Sequence, residues 1–269
     1  MLREDDTGKG DGAVAMKFRV VTTMNERGWN ETGARMVESF NEQWPAECQP
    51  LIVYAEGFSP RLDGIEVRAL PAWLGEFKAA HSAPQYRGIR SAGYDYRFDA
   101  VKFAHKVAAL TDAGERLDDG VLIWLDADIF THSPVTSDWL ERLFPEPGYV
   151  AWLDRKTGHP ECGFVMFRCG HPYHKDFMRS YRRLYEEGGL FKLPETHDSF
   201  ALQHLVNLKV AMRKIESPVS LSGVARHTSH PAANGPLSEC IDHMKGLRKT
   251  IGRTPKAHRR VRDGHPYWT

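Results

Sequence analysis

No apolar run in this sequence approaches the roughly 18 residues that a membrane-spanning helix requires, and the N-terminus carries no signal-peptide core. Cysteine is scarce. The four present (Cys48, Cys162, Cys169, Cys240) lie far apart, which excludes C-x-x-C zinc knuckles and redox pairs. Cys162 and Cys169 sit in an apolar stretch and read as buried thiols, consistent with a reducing, cytoplasmic setting. An excess of charge of either sign is also missing. Lys and Arg number 36 against 35 Asp and Glu, a formal net charge of +1, so the chain as a whole has no strong field for nucleic acid or membrane. There is no internal repeat and no convincing linker.

What is present suffices for one α/β domain: 269 residues, 41% hydrophobic, enough for a sizeable core. Residues 1–15 are polar and Gly-rich and read as a disordered leader, 16–250 as a single domain, and 251–269 as a basic tail. Phe18 to Val21, ending at Thr22-Thr23, is the first predicted strand. Asn30 as N-cap with Met36, Val37 and Phe40 predicts a helix over 31–43. Strands follow at 51–54 and 65–70. This strand–helix–strand opening predicts a mostly parallel sheet with right-handed crossovers. Residues 71–96 read as a long loop, and a loop of that length in a compact domain is usually functional. Helical spacing returns at 98–110. Later elements are a helix at 139–144, strands at 149–153 and 163–168, helices at 172–187 and 197–208, and a short strand at 211–215.

The most apolar segment, Val121-Leu122-Ile123-Trp124-Leu125, runs directly into Asp126-Ala127-Asp128. Continuous apolarity predicts a strand buried on both faces, and ligands of open α/β sheets sit at the carboxyl ends of the strands. Two carboxylates there need a cation or hydrogen-bond donors. Hard oxygen ligands suit Mg²⁺ or Mn²⁺, whose shells are completed by water and substrate phosphates. Alone, the pair is also compatible with a capped turn and a solvated carboxylate.

Near the other end stands His243-Met244-Lys245-Gly246-Leu247-Arg248-Lys249, spaced H-x-x-G-x-x-K. An imidazole is a competent third ligand, Gly246 lets backbone approach a phosphate, and Lys249 offers a point charge to a diphosphate. The plain alternative is a basic surface helix. From His243 to Arg262 there are eight Lys or Arg and no acid, a pattern typical of a solvated face or tail and also suited to phosphates or a polyanion.

These two motifs resemble those of GT-A-fold, metal-dependent glycosyltransferases, most closely the glycogenin-like and lipopolysaccharide galactosyltransferase-like group. The resemblance implies a Rossmann-type α/β/α sandwich. It implies Mn²⁺ (or Mg²⁺) on Asp126, Asp128 and His243, and a donor diphosphate at Lys249. It further implies a nucleotide base and ribose near Thr22, Thr23 and Asn25, a donor contact from Lys102 or Arg97, close backbone passage at Gly163, and an acidic residue, Asp198, reaching the sugar or acceptor. The motif departs from the group after Lys249, where Thr250-Ile251 stands in place of Pro-Trp. Read on their own, Thr22 and Thr23 equally suit a turn, Asp198 a helix cap, and Gly163 a bulge. His159 and the histidines of 171–174 read as surface residues rather than a second metal site.

The expected activity is sugar transfer from a UDP-sugar to an acceptor hydroxyl, with retention. An inverting enzyme would need a base such as Asp198. A nucleotidyltransferase is the rival enzyme, disfavoured because the turn Thr22 to Gly28 holds one glycine where a phosphate loop needs several. Transfer to modified DNA bases is a further alternative, resting on the basic tail. A non-enzymatic binding module is the third reading.

Overall fold

The computed structural model describes residues 16–228, 230–261 and 264–268. The stretch read as a leader therefore lies outside the described residues. Eleven strands occur among the described residues: β1 (Phe18–Asn25), β2 (Leu51–Glu56), β3 (Ile65–Arg68), β4 (Arg87–Arg90), β5 (Gly93–Asp99), β6 (Val121–Leu125), β7 (Ile129–Thr131), β8 (Val150–Leu153), β9 (Glu161–Arg168), β10 (Val219–Ser220) and β11 (Ile241–His243). Seven form the central sheet in the order β10-β8-β9-β6-β1-β2-β3. β1 pairs in parallel with both β2 and β6, β2 with β3, and β10 with β8. Only β9 runs the other way, antiparallel to β6 and β8. The expected mostly parallel α/β/α sandwich is what the chain forms, with the reversal at β9 as a departure from an all-parallel centre.

Two apolar clusters, one on each face, hold the sheet. Along β6, Leu122 and Trp124 pack with helices Ala72–Ala80, Ala100–Glu115, His174–Glu186 and Asp198–Ala211. Ile123 and Leu125 pack on the opposite side with Ala34–Gln43 and Ser137–Leu143. All five β6 side chains are buried. Each such side chain contributes roughly 1.5–3 kcal/mol of transfer free energy, which anchors the strand that carries the acidic pair.

Several local expectations are corrected. Residues 71–96 are not one loop: they hold helix Ala72–Ala80 and most of the β4–β5 hairpin. Trp73, Leu74 and Phe77 bury the inner face of that helix. Gly75 between them masked the period. The helix of the first crossover starts earlier than Asn30. Asn25 ends β1 and its side chain accepts from Gly28 N, after which residues 29–33 form a wide π turn leading into Ala34–Gln43. The strand expected at 211–215 lies at Val219–Ser220 instead. His174, read as a surface residue, is fully buried.

The element least visible in the sequence matters most. β7 follows the acidic pair after a tight turn and pairs antiparallel with β11, His243 opposite Ile129. His243 thus lies in a strand rather than on a basic surface helix. Met244 N donates to Asp128 O at 3.0 Å. The described part of residues 251–269 packs back onto this small sheet: Thr254, Arg259 and Trp268 are buried. Of the eight basic residues, Arg248 and Arg259 face inward, donating to Thr254 Oγ1 and Ala233 O. Arg262 lies outside the described residues. No helix of the described residues is long and apolar enough to cross a membrane.

Candidate active site

The carboxyl ends of β1 and β6 open onto a cleft of about 1310 Å³. Asp126, Ala127 and Asp128 line its floor, and Lys245, Gly246 and Lys249 one wall. The sequence separation of 115 between Asp128 and His243 is closed by the β7–β11 pairing, which sets His243 Nε2 3.0 Å from Asp128 Oδ1 and 3.7 Å from Asp126 Oδ2. One ligand atom from each of these three residues falls within 4.8 Å of the others. Lys249 Nζ lies 3.0 Å from Asp128 Oδ2.

Two residues beyond the sequence-predicted set complete the centre. Glu161 is buried at the start of β9, with Oε1 2.7 Å from His243 Nδ1. The approach is too oblique for a hydrogen bond, and Nδ1 has no aligned partner. Both ring nitrogens of His243 thus face carboxylates. Burial alone would lower the affinity of the ring for its proton, but Asp128 and Glu161 outweigh burial and raise His243 to about 9. Either a proton or a cation is needed at Nε2. A divalent ion there, with the Glu161 carboxylate behind the ring, would follow the carboxylate–histidine–metal order with an ionic contact in place of an aligned hydrogen bond. Burial works against ionising Asp128, yet His243 and Lys249 hold it well below the ordinary carboxylate range. Glu161 is likewise held low by His243, Lys245 and Arg155.

Lys106 is the second omission. It lies on helix Ala100–Glu115, one turn beyond Lys102, and is 11% exposed. Its Nζ donates to Asp126 Oδ1 at 3.1 Å and to Cys162 O at 2.5 Å, and sits 2.8 Å from Asp198 Oδ2. Trp124 Nε1 donates to the same Asp126 oxygen at 2.7 Å. Helical spacing held the signal. Val101, Ala104 and Ala108 face the sheet, and Lys106 stands beside that stripe at its cleft end. Lys102 is exposed at the cleft rim, its backbone N donating to Asp99, which caps the helix. Arg97 binds Asp95 on the hairpin.

The remaining predicted residues divide. Thr23 and Asn25 reach the cleft, Thr23 donating to Tyr54 O. Thr22 does not line it; its side chain is fully buried and its hydroxyl unpaired among the described residues. Gly163 is tightly confined. A Cβ there would lie 2.2 Å from His243 Cε1 and 2.6 Å from Nδ1. Gly246 has φ +59°, which favours glycine, and lies at the open side of the cleft. Asp198 is the first residue of its helix rather than its cap, which is His197. Burial raises its proton affinity, but Lys106 prevails and holds it ionised.

The donor set of two carboxylates and one imidazole suits a divalent ion such as Mn²⁺ or Mg²⁺, with Lys249 and Lys245 placed for an anionic ligand beside it.

No protein-family model matches the sequence, and no curated protein sequence matches it. Solved structures with a similar chain path include three glycosyltransferases. One is the apo-form glycosyltransferase GlyE in Streptococcus pneumoniae TIGR4, at 11% identity and TM-score 0.43, covering 77% of this chain and 46% of that one. This chain thus spans under half of GlyE. A second is a glycosyltransferase involved in the glycosylation of the major capsid of PBCV-1, at 12% identity and TM-score 0.46, covering 87% of this chain and 98% of that one. A third is mouse xyloside xylosyltransferase 1 in its apo form, at 9% identity and TM-score 0.43, covering 77% and 85%.

Proposed function

We propose that the chain is a metal-dependent glycosyltransferase that moves a sugar from a nucleotide-diphosphate donor, UDP-sugar in the first instance, to an acceptor hydroxyl. The observation that carries this reading is the convergence of Asp126, Asp128 and His243 at a cleft where Lys249 already touches Asp128. Such a centre suits a diphosphate leaving group, because carboxylates would hold the ion and lysines would balance the phosphates.

In this reading Asp126, Asp128 and His243 hold Mn²⁺, with Glu161 fixing the imidazole. The ion, when bound, supplies Lewis-acid stabilisation of the departing diphosphate. Lys249 and Lys245 offset the remaining negative charge as UDP leaves. Thr23 and Asn25 border the nucleoside end, and Gly163 leaves room for close passage of the donor beside β9. Lys102 at the rim is placed for an outer phosphate or ribose contact. Asp198 stands across Lys106 from Asp126 and lines the cleft where the donor sugar would lie. Because Lys106 holds Asp198 ionised, its basicity is weak. It is better suited to stabilising positive charge on the sugar ring than to deprotonating an acceptor, which favours retention over inversion.

A UDP-sugar panel read by UDP release tests the proposal. Release with Mn²⁺ that stops with a chelator, and falls at least about 100-fold in Asp128→Ala, is the expected result. Intact activity in Asp128→Ala would overturn it.

A further inference from the structure

A second cluster lines the same cleft. His159, from the β8–β9 loop, meets Glu195 and His197, which directly precede and cap helix Asp198–Ala211. Glu195 Oε2 lies 2.9 Å from His197 Nε2 and 3.4 Å from His159 Nε2. One ligand atom from each falls within 4.8 Å of the others.

The outer atoms of these side chains are also engaged. His159 Nδ1 lies 2.7 Å from Gln203 Oε1. The Glu195 carboxylate thus faces the Nε2 atoms of both rings, hydrogen-bonded to His197 and 3.4 Å from His159. His197 Nδ1 has Asp198 Oδ1 at 4.0 Å, and Glu195 Oε1 has Arg97 Nη1 at 3.9 Å. Phe200 stands edge-on to His159, and Tyr96 and Phe103 flank His197, so both rings are fixed by packing. A cation among the three inner atoms would be held by Nε2 of each ring and the Glu195 carboxylate, and it leaves His159 Nδ1 its contact with Gln203, the kind of outer partner that ligating histidines ordinarily have.

We propose that His159, Glu195 and His197 form a second metal site, taking a borderline divalent ion such as Zn²⁺. Two imidazoles and one carboxylate are the ligand set of zinc centres that keep a position open. All three residues line the cleft, so an oxygen of the molecule bound there, hydroxyl or carboxylate, is the class of fourth ligand. His197 and Asp198 are adjacent, and Asp198 shares Lys106 with Asp126, so the two centres border one another through a single ionic chain. The proposal stands on the cluster itself and does not require the sugar-transfer reading.

The test is Co²⁺ binding to tag-free Asp128→Ala protein, in which the first cluster is broken, followed by visible absorption and by calorimetry. One Co²⁺ per chain with a ligand-field band is expected. His197→Ala and the isosteric Glu195→Gln should each weaken it by at least about 100-fold, and Gln203→Leu by about tenfold. Far-ultraviolet circular dichroism establishes folding, and Glu195→Gln keeps the test valid if His197→Ala unfolds. Failure of the Asp128→Ala protein to bind Co²⁺, or unchanged affinity in Glu195→Gln, would overturn the assignment.

Discussion

Lys106 Nζ bridges Asp126 Oδ1 and Asp198 Oδ2, at 3.1 and 2.8 Å, and joins the strand end to the helix start across the cleft. Burial disfavours its charge, yet the two aspartates keep it protonated above the usual lysine range. Lys106→Met therefore strands two carboxylates, one of them almost wholly buried. Breaking a buried pair from one side costs about 3–5 kcal/mol. Urea unfolding at pH 7 should register a loss of that order, and Lys106→Arg a smaller one. A loss under about 1 kcal/mol would show that water compensates both carboxylates.

Gly163 makes a different kind of claim, about geometry. An added methyl would collide with the His243 ring. The ring must then withdraw from Asp128, while β9, paired on both sides, keeps its place. Gly163→Ala should cost about 1–3 kcal/mol of stability and at least tenfold in Mn²⁺ affinity by calorimetry. Wild-type Mn²⁺ affinity in a folded Gly163→Ala protein would remove His243 from the proposed metal site.

The sheet and the acidic strand were legible because burial imposes a local pattern: five apolar residues in a row, entered at Gly120 and left at two aspartates, are too short for a buried helix and fit an inner strand. His243 was legible as a residue type at a spacing, but not as a strand, since the β7–β11 pairing joins segments more than 100 residues apart and has three-residue partners too short to show a period. Lys106 and Glu161 were passed over for a related reason. Each is a charge embedded in apolar sequence, and what neutralises it lies on another element. Thr22 erred the other way: alternation along β1 turns it inward, away from Thr23. Helix Ala72–Ala80 was hidden because Gly75 interrupts an otherwise clear apolar face.

His174 supplies a pH test of the core. Its Nε2 donates to Gly114 O at 2.9 Å, and Tyr149 OH lies 3.3 Å from Nδ1. Burial lowers it to about 4, against 6.5 in the unfolded chain. Between those values the unfolded state binds the extra proton, so stability is fully present above about 6.5 and is lost as pH falls towards 4. Guanidinium unfolding of His174→Gln at pH 7 and 4.5 should show an acid loss smaller than wild type by about 2 kcal/mol. Equal losses would mean that the ring binds its proton equally well in the folded and unfolded states and that other groups carry the acid response.

Asp242 ties the C-terminal segment to the candidate site. Its carboxylate is fully buried and accepts from Thr254 N and Thr254 Oγ1, both at 2.6 Å, and from Tyr267 OH at 3.0 Å. Tyr267 in turn stacks on His132 at 4.0 Å, just beyond β7. The segment is thus fastened over the two-stranded sheet that presents His243, the next residue in β11. Asp242→Ala leaves three donors unpaired and should cost on the order of 3 kcal/mol. It should also weaken Mn²⁺ binding at the proposed site, because β11 loses its tie to the segment that stacks on His132 beside β7. Tyr267→Phe removes a single donor and should cost about 1–2 kcal/mol with little change in Mn²⁺ affinity. Thermal denaturation together with Mn²⁺ calorimetry separates the two variants. If Asp242→Ala matches wild type in both, the C-terminal segment is a cover and not a brace for the site.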